Sequence, residues 1–466
     1  MEEKINQVFK AQQAYKYTLR KSNVVERVDK LIALKTTIEK YESRIYAALQ
    51  SDLRKSTFET AVTELFLVYG ELDFAIKNLS HWTKPKYAGK TLTNPFAKNR
   101  LYYEPKGVCL IISPWNYPFQ LAMSPLISAI AAGNCVSIKP SELSAATSAI
   151  ISSIIAETFD PKEIACFEGD AQTATWLLSL PFDHIFFTGS TAIGKVVMEA
   201  AAKNLSTVTL ELGGKSPTII DEQVNLEKVA EKIAWGKLVN SGQTCIAPDY
   251  VFVPKQQLEE FIALYKIAVN KMFFAKTENP DPAIYGKMVS QKHFQRLKGL
   301  VEEALEKGAK IDLGGTFNEV QQTIAPIILS HVPPESKIME EEIFGPILPL
   351  IAYENLDEVI DYINTKSKPL ALYIFSRNSA NIKKIIKNTS AGGTCVNDVL
   401  IHISNPKLPF GGVNGSGMGS SHGFFGFKAF SHERAIVFQS SLNLSKLIYP
   451  PYVGKEWLLK ILKKIM

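Results

Sequence analysis

A chain of 466 residues, 46% hydrophobic and 21% charged, has room for two or three domains and needs no staples to hold its core. Its formal net charge is +6, with the lysines spread along the chain and no basic block interleaved with aromatics, which argues against nucleic-acid binding. The five cysteines (Cys109, Cys135, Cys166, Cys245, Cys395) are scattered, odd in number and never C-x-x-C, which argues against a disulfide framework and a zinc site and for a reducing, cytoplasmic setting.

The N-terminus, M-E-E-K-I-N-Q-V-F-K, carries acids and no apolar core, so no signal peptide is expected there. No apolar run reaches the roughly 20 residues that span a bilayer. Residues 1–82 read as helices. Within Phe58–Trp82, Ala61, Leu65, Val68, Leu72, Ile76 and Leu79 recur at spacings of three and four, a packing face. Pro85 and Pro95 interrupt that pattern, and Thr91–Tyr103 reads as a hairpin or arm. From Val108 short apolar runs alternate with helical stretches. The runs are Val108–Ser113, Cys135–Ile138, Ala165–Phe167, His184–Phe187 and Val208–Leu212. The helices are Phe119–Ala132, Leu143–Phe159, Ala171–Leu178 and Ala192–Ala201. That alternation predicts βαβ units and a parallel sheet covered on both faces, with ligands at the carboxyl ends of its strands. A second α/β region runs from about Leu212 to Cys395. Its predicted helices are Leu226–Asn240, Gln256–Met272, Lys292–Lys307 and Leu356–Thr365, and its predicted strands are Tyr250–Val253, Ile347–Ala352 and Ala371–Phe375. A glycine-rich stretch, Pro409–Gly419, follows.

Four segments carry chemistry. In N-S-G-Q-T-C-I-A-P-D-Y, Gly242 permits a tight turn before Cys245, and Pro248 ends any helix after it. A lone thiol on such a turn suits a nucleophile, and it equally suits a small buried hydrophobe. In V-T-L-E-L-G-G-K, Glu211 sits among apolar strand residues; burial raises a carboxyl pKa toward that of a general base, and a salt-bridged structural role also fits. In S-P-W-N-Y-P, Asn116 follows the first strand and is able to donate to a developing oxyanion or to cap its own turn. In H-I-F-F-T-G-S-T-A-I-G-K a strand turns into a helix at Gly189, as in phosphate-binding loops, but Val196 stands where a P-loop needs Ser or Thr for magnesium.

Together these segments, with I-K-P-S-E around Lys139, E-E-I-F-G-P around Glu342 and Phe344, and L-P-F-G-G around Phe410, resemble the NAD(P)-dependent aldehyde dehydrogenase superfamily over nearly the whole chain. The short N-terminus, C-I-A-P-D-Y, S-G-M-G and Y-P-P-Y are most similar to its class 3 branch, which includes fatty aldehyde enzymes. The resemblance implies a Rossmann-like dinucleotide-binding domain (1–83 and 104–210), a second α/β catalytic domain (211–396), a small β oligomerisation arm with bridging segments (84–103 and 397–440) and a tail (441–466). It implies an enzyme that oxidises aldehydes, with Cys245 as nucleophile, Asn116 and the Cys245 backbone N–H as oxyanion donors, and Glu211 as the base that activates water on the thioester. By the same carry-over Lys139 and Glu142 bind the adenosine ribose. Thr188, Gly189, Ser190 and Gly194 line the nicotinamide and pyrophosphate path, Glu342 holds the nicotinamide ribose, and Phe344 and Phe410 flank it. The cofactor is NAD or NADP, no metal is implied, the substrates are medium- or long-chain aliphatic or aromatic aldehydes, and a homodimer is expected. Tyr117 and Phe425 are candidates for the substrate tunnel.

The chain departs from the family pattern at V-N-G-S-G-M-G and at S-S-H-G (Ser420–Gly423), outside the catalytic pair. A CoA-acylating enzyme and a non-catalytic protein on the same fold are the rival readings. The tail K-E-W-L-L-K-I-L-K-K-I-M places Trp457, Leu458, Ile461, Leu462 and Ile465 against Lys460, Lys463 and Lys464, as in an interfacial membrane helix at 455–466 or a helix packed on the body.

Overall fold

The computed structural model describes residues 1–466 apart from 92–94, 275–279, 443–444 and 466. Two α/β layers and two small antiparallel sheets, one of them the pair Phe317–Asn318 and Thr323–Ile324, make up the described fold.

The first sheet has six strands in the order Gly417–Met418, Thr207–Leu212, His184–Gly189, Val108–Ile112, Cys135–Lys139, Ile164–Cys166. All pairings are parallel except the first. The run Val108–Ile112 is buried throughout and serves two cores. Cys109 and Ile111 pack beneath helices Val24–Leu53, Phe66–Trp82, Gln120–Ala132 and Ala145–Thr158. Val108, Leu110 and Ile112 pack on the other face against Glu2–Leu19, Ala171–Leu178 and Thr191–Asn204. This is the period-two division of a strand buried on both sides.

The second sheet has seven strands in the order Lys310–Leu313, Ile327–Ser330, Ile347–Tyr353, Tyr250–Pro254, Pro217–Ile220, Ala371–Phe375, Gly393–Val396. Only the Lys310–Leu313 edge runs antiparallel. Val251 and Val253 face the helices Leu226–Leu238 and Leu258–Phe273, while Tyr250 and Phe252 face Gln291–Glu306 and Leu356–Thr365. A third sheet joins Lys86–Tyr87, Lys98–Pro105 and Ser431–Phe438. The arm expected at 91–103 is thus a strand from Lys98 onward, and its residues 92–94 lie outside the described ones.

The elements that sequence periodicity misses include the strands Pro217–Ile220, Lys310–Leu313 and Ile327–Ser330, and the helix Ser379–Asn388. Three of these are four-residue strands, too short to set a period. Two helix expectations are corrected. The single helix expected over Phe58–Trp82 opens into a π turn at Ala61–Leu65, and Glu64 within that turn is fully buried. The helix expected to reach Asn240 ends at Leu238, because Asn240 and Ser241 adopt left-handed backbone with φ of 52° and 53°. Glu59 accepts the Asn240 N–H at 2.7 Å, which holds the chain out of the helix.

Candidate active site

Each chemical side chain of the site is delivered by a change of backbone state at the end of a regular element. The strand Thr207–Leu212 carries Glu211 in register with Gly417, so the glycine-rich segment folds back over it. Ser421 then donates its hydroxyl to Glu211 Oε1 at 3.0 Å, and Glu211 Oε2 has no partner among the described residues. Burial pushes the Glu211 pKa up to about 7 against the opposing hydrogen bond from Ser421.

Cys245 follows the left-handed pair Asn240–Ser241 and Gly242, whose φ is +77°. A Cβ at Gly242 would collide with the Gly345 carbonyl, so only glycine lets the two loops meet. Burial pushes the Cys245 thiol up to about 12. The carboxylates of Glu342 and Glu211 act in the same direction, and the N–H groups of Cys245 and Ile246 oppose it. The thiol sits beside two N–H donors.

Asn116 leaves the Val108–Ile112 strand through the Ser113–Pro118 loop. Its Nδ2 donates to the Gln243 carbonyl at 3.0 Å, two residues before the thiol. One of its two amide N–H groups is used there and the other remains for a ligand. Tyr117 shares its hydroxyl hydrogen bond with Thr244 Oγ1 at 2.6 Å.

These residues line one cavity of about 760 Å³. Asn116, Tyr117, Thr188, Gly189, Ser190, Glu211, Cys245, Glu342, Phe344 and Phe410 all face it. Glu342 and Thr188 each leave a buried oxygen without a partner among the described residues, Oε1 and Oγ1. Burial, and then Asp249, push Glu342 up to about 8. Its carboxyl occupies the space that a Cβ on Gly213 would need, so a side chain there would displace it. Phe344 has a φ of +53° and meets Trp115 edge-on at 5.3 Å. A polyhydroxylated ligand with an anionic linker fits this set: bare acceptors, a strand-to-helix turn at Gly189 and flanking rings.

Three expected cofactor residues do not line the cavity. Gly194 faces Leu212, whose methyl lies 2.6 Å from where a Cβ on that glycine would stand, so it serves close helix-to-strand packing. Lys139 and Glu142 pair with each other at 2.6 Å at the end of the neighbouring strand. Phe425 is also absent from the lining and packs on Phe424 at 6.4 Å. Sequence reasoning missed Trp115, His293, Arg296, Ser421 and His422, which do line it. Ser421 and His422 lie in the S-S-H-G segment noted above only as a departure. Nothing local signals that it crosses 210 positions to reach Glu211.

Comparison with known proteins identifies the family. The profile of the aldehyde dehydrogenase family matches residues 1–436. Aldehyde dehydrogenase family 3 member A2 of Mus musculus is 44% identical over 91% of this chain and 87% of its own length. The dimeric NADP-preferring aldehyde dehydrogenase of Mus musculus is 43% identical over 92% of this chain and 94% of its own. A substrate-bound structure of Staphylococcus aureus AldH, 42% identical, superposes with a TM-score of 0.93 over 98% of this chain and 99% of that one. With a matching profile over nearly its whole length, a shared fold and class 3 relatives above 40% identity, this chain belongs to the aldehyde dehydrogenase family and oxidises aldehydes to carboxylic acids with NAD or NADP.

Proposed function

We propose that Cys245 is the nucleophile, Asn116 the oxyanion donor and Glu211 the base that activates water. The observation that carries this reading is the convergence of three distant segments on one cavity, where Glu211 keeps a bare oxygen and titrates near neutrality. The thiol adds to the aldehyde carbon, and the free Asn116 N–H with the Cys245 backbone N–H holds the resulting oxyanion. The thiol proton passes to solvent, and loss of hydride from that oxyanion leaves a thioester on Cys245. Glu211 then takes a proton from water as it attacks the thioester, and the carboxylic acid departs.

The bound nicotinamide supplies the hydride acceptor. We assign Thr188, Gly189, Ser190, Glu342, Phe344 and Phe410 to its side of the cavity. Gly194 supports that path from behind the turn. Lys139 and Glu142 take the adenosine ribose, and the Lys139 cation offsets the repulsion between Glu142 and a 2′-phosphate, so both NAD and NADP are accommodated. We assign 1–83 and 104–210, which hold most of the first sheet and its helices, to the cofactor domain, 211–396 to the catalytic one, and 84–103 and 397–440 to the arm and bridge.

Much of the remaining cavity wall is apolar, with Val62, Leu67, Leu121, Trp235, Ile401 and Ile403 among its residues. Medium- or long-chain aliphatic and aromatic aldehydes are therefore the expected substrates, with Tyr117 beside the reacting end. In a panel of linear aldehydes assayed with each cofactor, kcat/KM should rise about fourfold per added CH₂ until the wall is filled, from roughly 0.8 kcal/mol per methylene. A flat profile, or a preference for short polar aldehydes, would refute the assignment.

Among the described residues no helix is long and apolar enough to cross a membrane. The tail forms the helix Glu456–Ile465, on which Trp457, Leu459 and Ile461 are exposed. The side chains of Leu462, Lys464 and Ile465 lie outside the described ones. We propose peripheral membrane contact through 455–466 and a homodimer through the arm, as the name of the dimeric relative suggests. Deleting 455–466 should abolish co-sedimentation with anionic liposomes and leave a solution mass of twice the chain. Equal pelleting of both forms sinks the first idea, and a monomeric mass sinks the second.

A further inference from the structure

A lysine and a glutamate bury their charges completely where the N-terminal helical layer meets the active site. Lys55 Nζ and Glu64 Oε1 are 2.7 Å apart, and both side chains are 0% exposed. Such a pair is a poor device for stability, since desolvation consumes most of its attraction. Its remaining hydrogen bonds show where it acts. Glu64 Oε2 accepts the N–H groups of Phe119 and Gln120, at 2.9 and 3.1 Å, and so caps the helix that begins after the Asn116 loop. Lys55 Nζ donates to the main-chain carbonyl of Asn116 at 3.0 Å. Asn240 Nδ2 donates to that same carbonyl at 2.8 Å, from its left-handed position five residues before Cys245. The Asn116 amide is meanwhile tied to the Gln243 carbonyl.

Asn116 is thus held at its main chain by two donors from two different segments and at its side chain by a third contact. Neither Lys55 nor Asn240 lines the cavity. A free turn needs no such grip; an oxyanion donor does, because a misplacement of about 1 Å costs on the order of 10²-fold in rate.

We propose that Lys55 and Asn240 are positioning residues that grip the Asn116 carbonyl and so aim the oxyanion donor. This rests on Asn116 acting as that donor. The test is a pair of double-mutant cycles read as the pre-steady-state rate of the NAD(P)H burst. The Lys55→Met/Glu64→Gln variant removes the grip without leaving Glu64 as an unpaired charge, and its glutamine still caps Phe119 and Gln120. Asn240→Gly removes the second donor at a backbone position that glycine adopts readily. Each should slow the burst by roughly 10- to 100-fold with the cofactor dissociation constant unchanged. In an Asn116→Ala background neither should slow it further by more than about twofold, because the group they aim is gone.

A loss of full size in the Asn116→Ala background, or no loss in the native one, removes that residue from the proposal. If Lys55→Met/Glu64→Gln does not fold, Asn240→Gly carries the same comparison. If Asn116→Ala alone keeps the native burst rate, it is the oxyanion assignment that fails.

Discussion

Cys245→Ser is expected to abolish NAD(P)H production from aldehyde, by roughly 10³-fold or more, while the protein still folds and binds cofactor. Serine occupies nearly the same volume, so the turn at Gly242 and the packing around it survive. The hydroxyl is the weaker nucleophile, and the substitution adds no base to offset that. It also separates this thiol from the other four. Cys109 and Cys135 are strand residues buried in the first sheet, Cys395 is buried in the second, and Cys166 does not line the cavity. Alkylation by iodoacetamide should therefore inactivate the native enzyme in step with labelling of Cys245. Persistent turnover in the serine variant would refute the nucleophile assignment.

The sequence carries most of the architecture because buried strands cannot hide their composition. Every strand of the first sheet except Gly417–Met418 is legible as a short apolar run between helices, since both of its faces are covered. Gly417–Met418 is two residues long and antiparallel, and it owes its place to Glu211 and Leu210 rather than to any pattern of its own. Shortness likewise accounts for the missed four-residue strands Pro217–Ile220, Lys310–Leu313 and Ile327–Ser330 of the second sheet. Element ends fail where a distant polar group overrides local propensity. The helix before Cys245 stops early because Glu59, 181 positions away, takes the Asn240 N–H. The π turn at Ala61–Leu65 is invisible to a periodicity of three and four, since the apolar residues around it keep that spacing.

The site divides along the same line. Asn116, Glu211 and Cys245 are legible because each stands in a short motif of unusual chemistry, and the structure brings all three to one cavity. The residues that support them are not. Ser421 on Glu211, and Lys55 with Asn240 on Asn116, are ordinary residue types in ordinary segments, and only the fold assembles them. Lys139 and Glu142 are legible as a motif, yet they lie at a strand end outside the cavity.

Glu211→Gln is expected to leave the first half of the reaction and stop the second. Glutamine keeps the size of the side chain, and its carbonyl still accepts the Ser421 hydroxyl bond to Glu211 Oε1. It cannot accept a proton. Replacing the carboxylate also removes one of the negative groups that hold the Cys245 thiol up, so attack on the aldehyde is not impeded. Mixing the variant with aldehyde and cofactor should give a burst of about one NAD(P)H per site, followed by a steady rate about 10²- to 10⁴-fold below the native one. The pH dependence carries the same signature. Burial sets Glu211 near 7, and the base is its deprotonated form, so native acyl-enzyme breakdown in single turnover should climb as pH rises through about 7. In the glutamine variant that climb should vanish. An unchanged steady rate in Glu211→Gln would show that another group activates the water. A burst that disappears with it would place Glu211 in the acylation step instead.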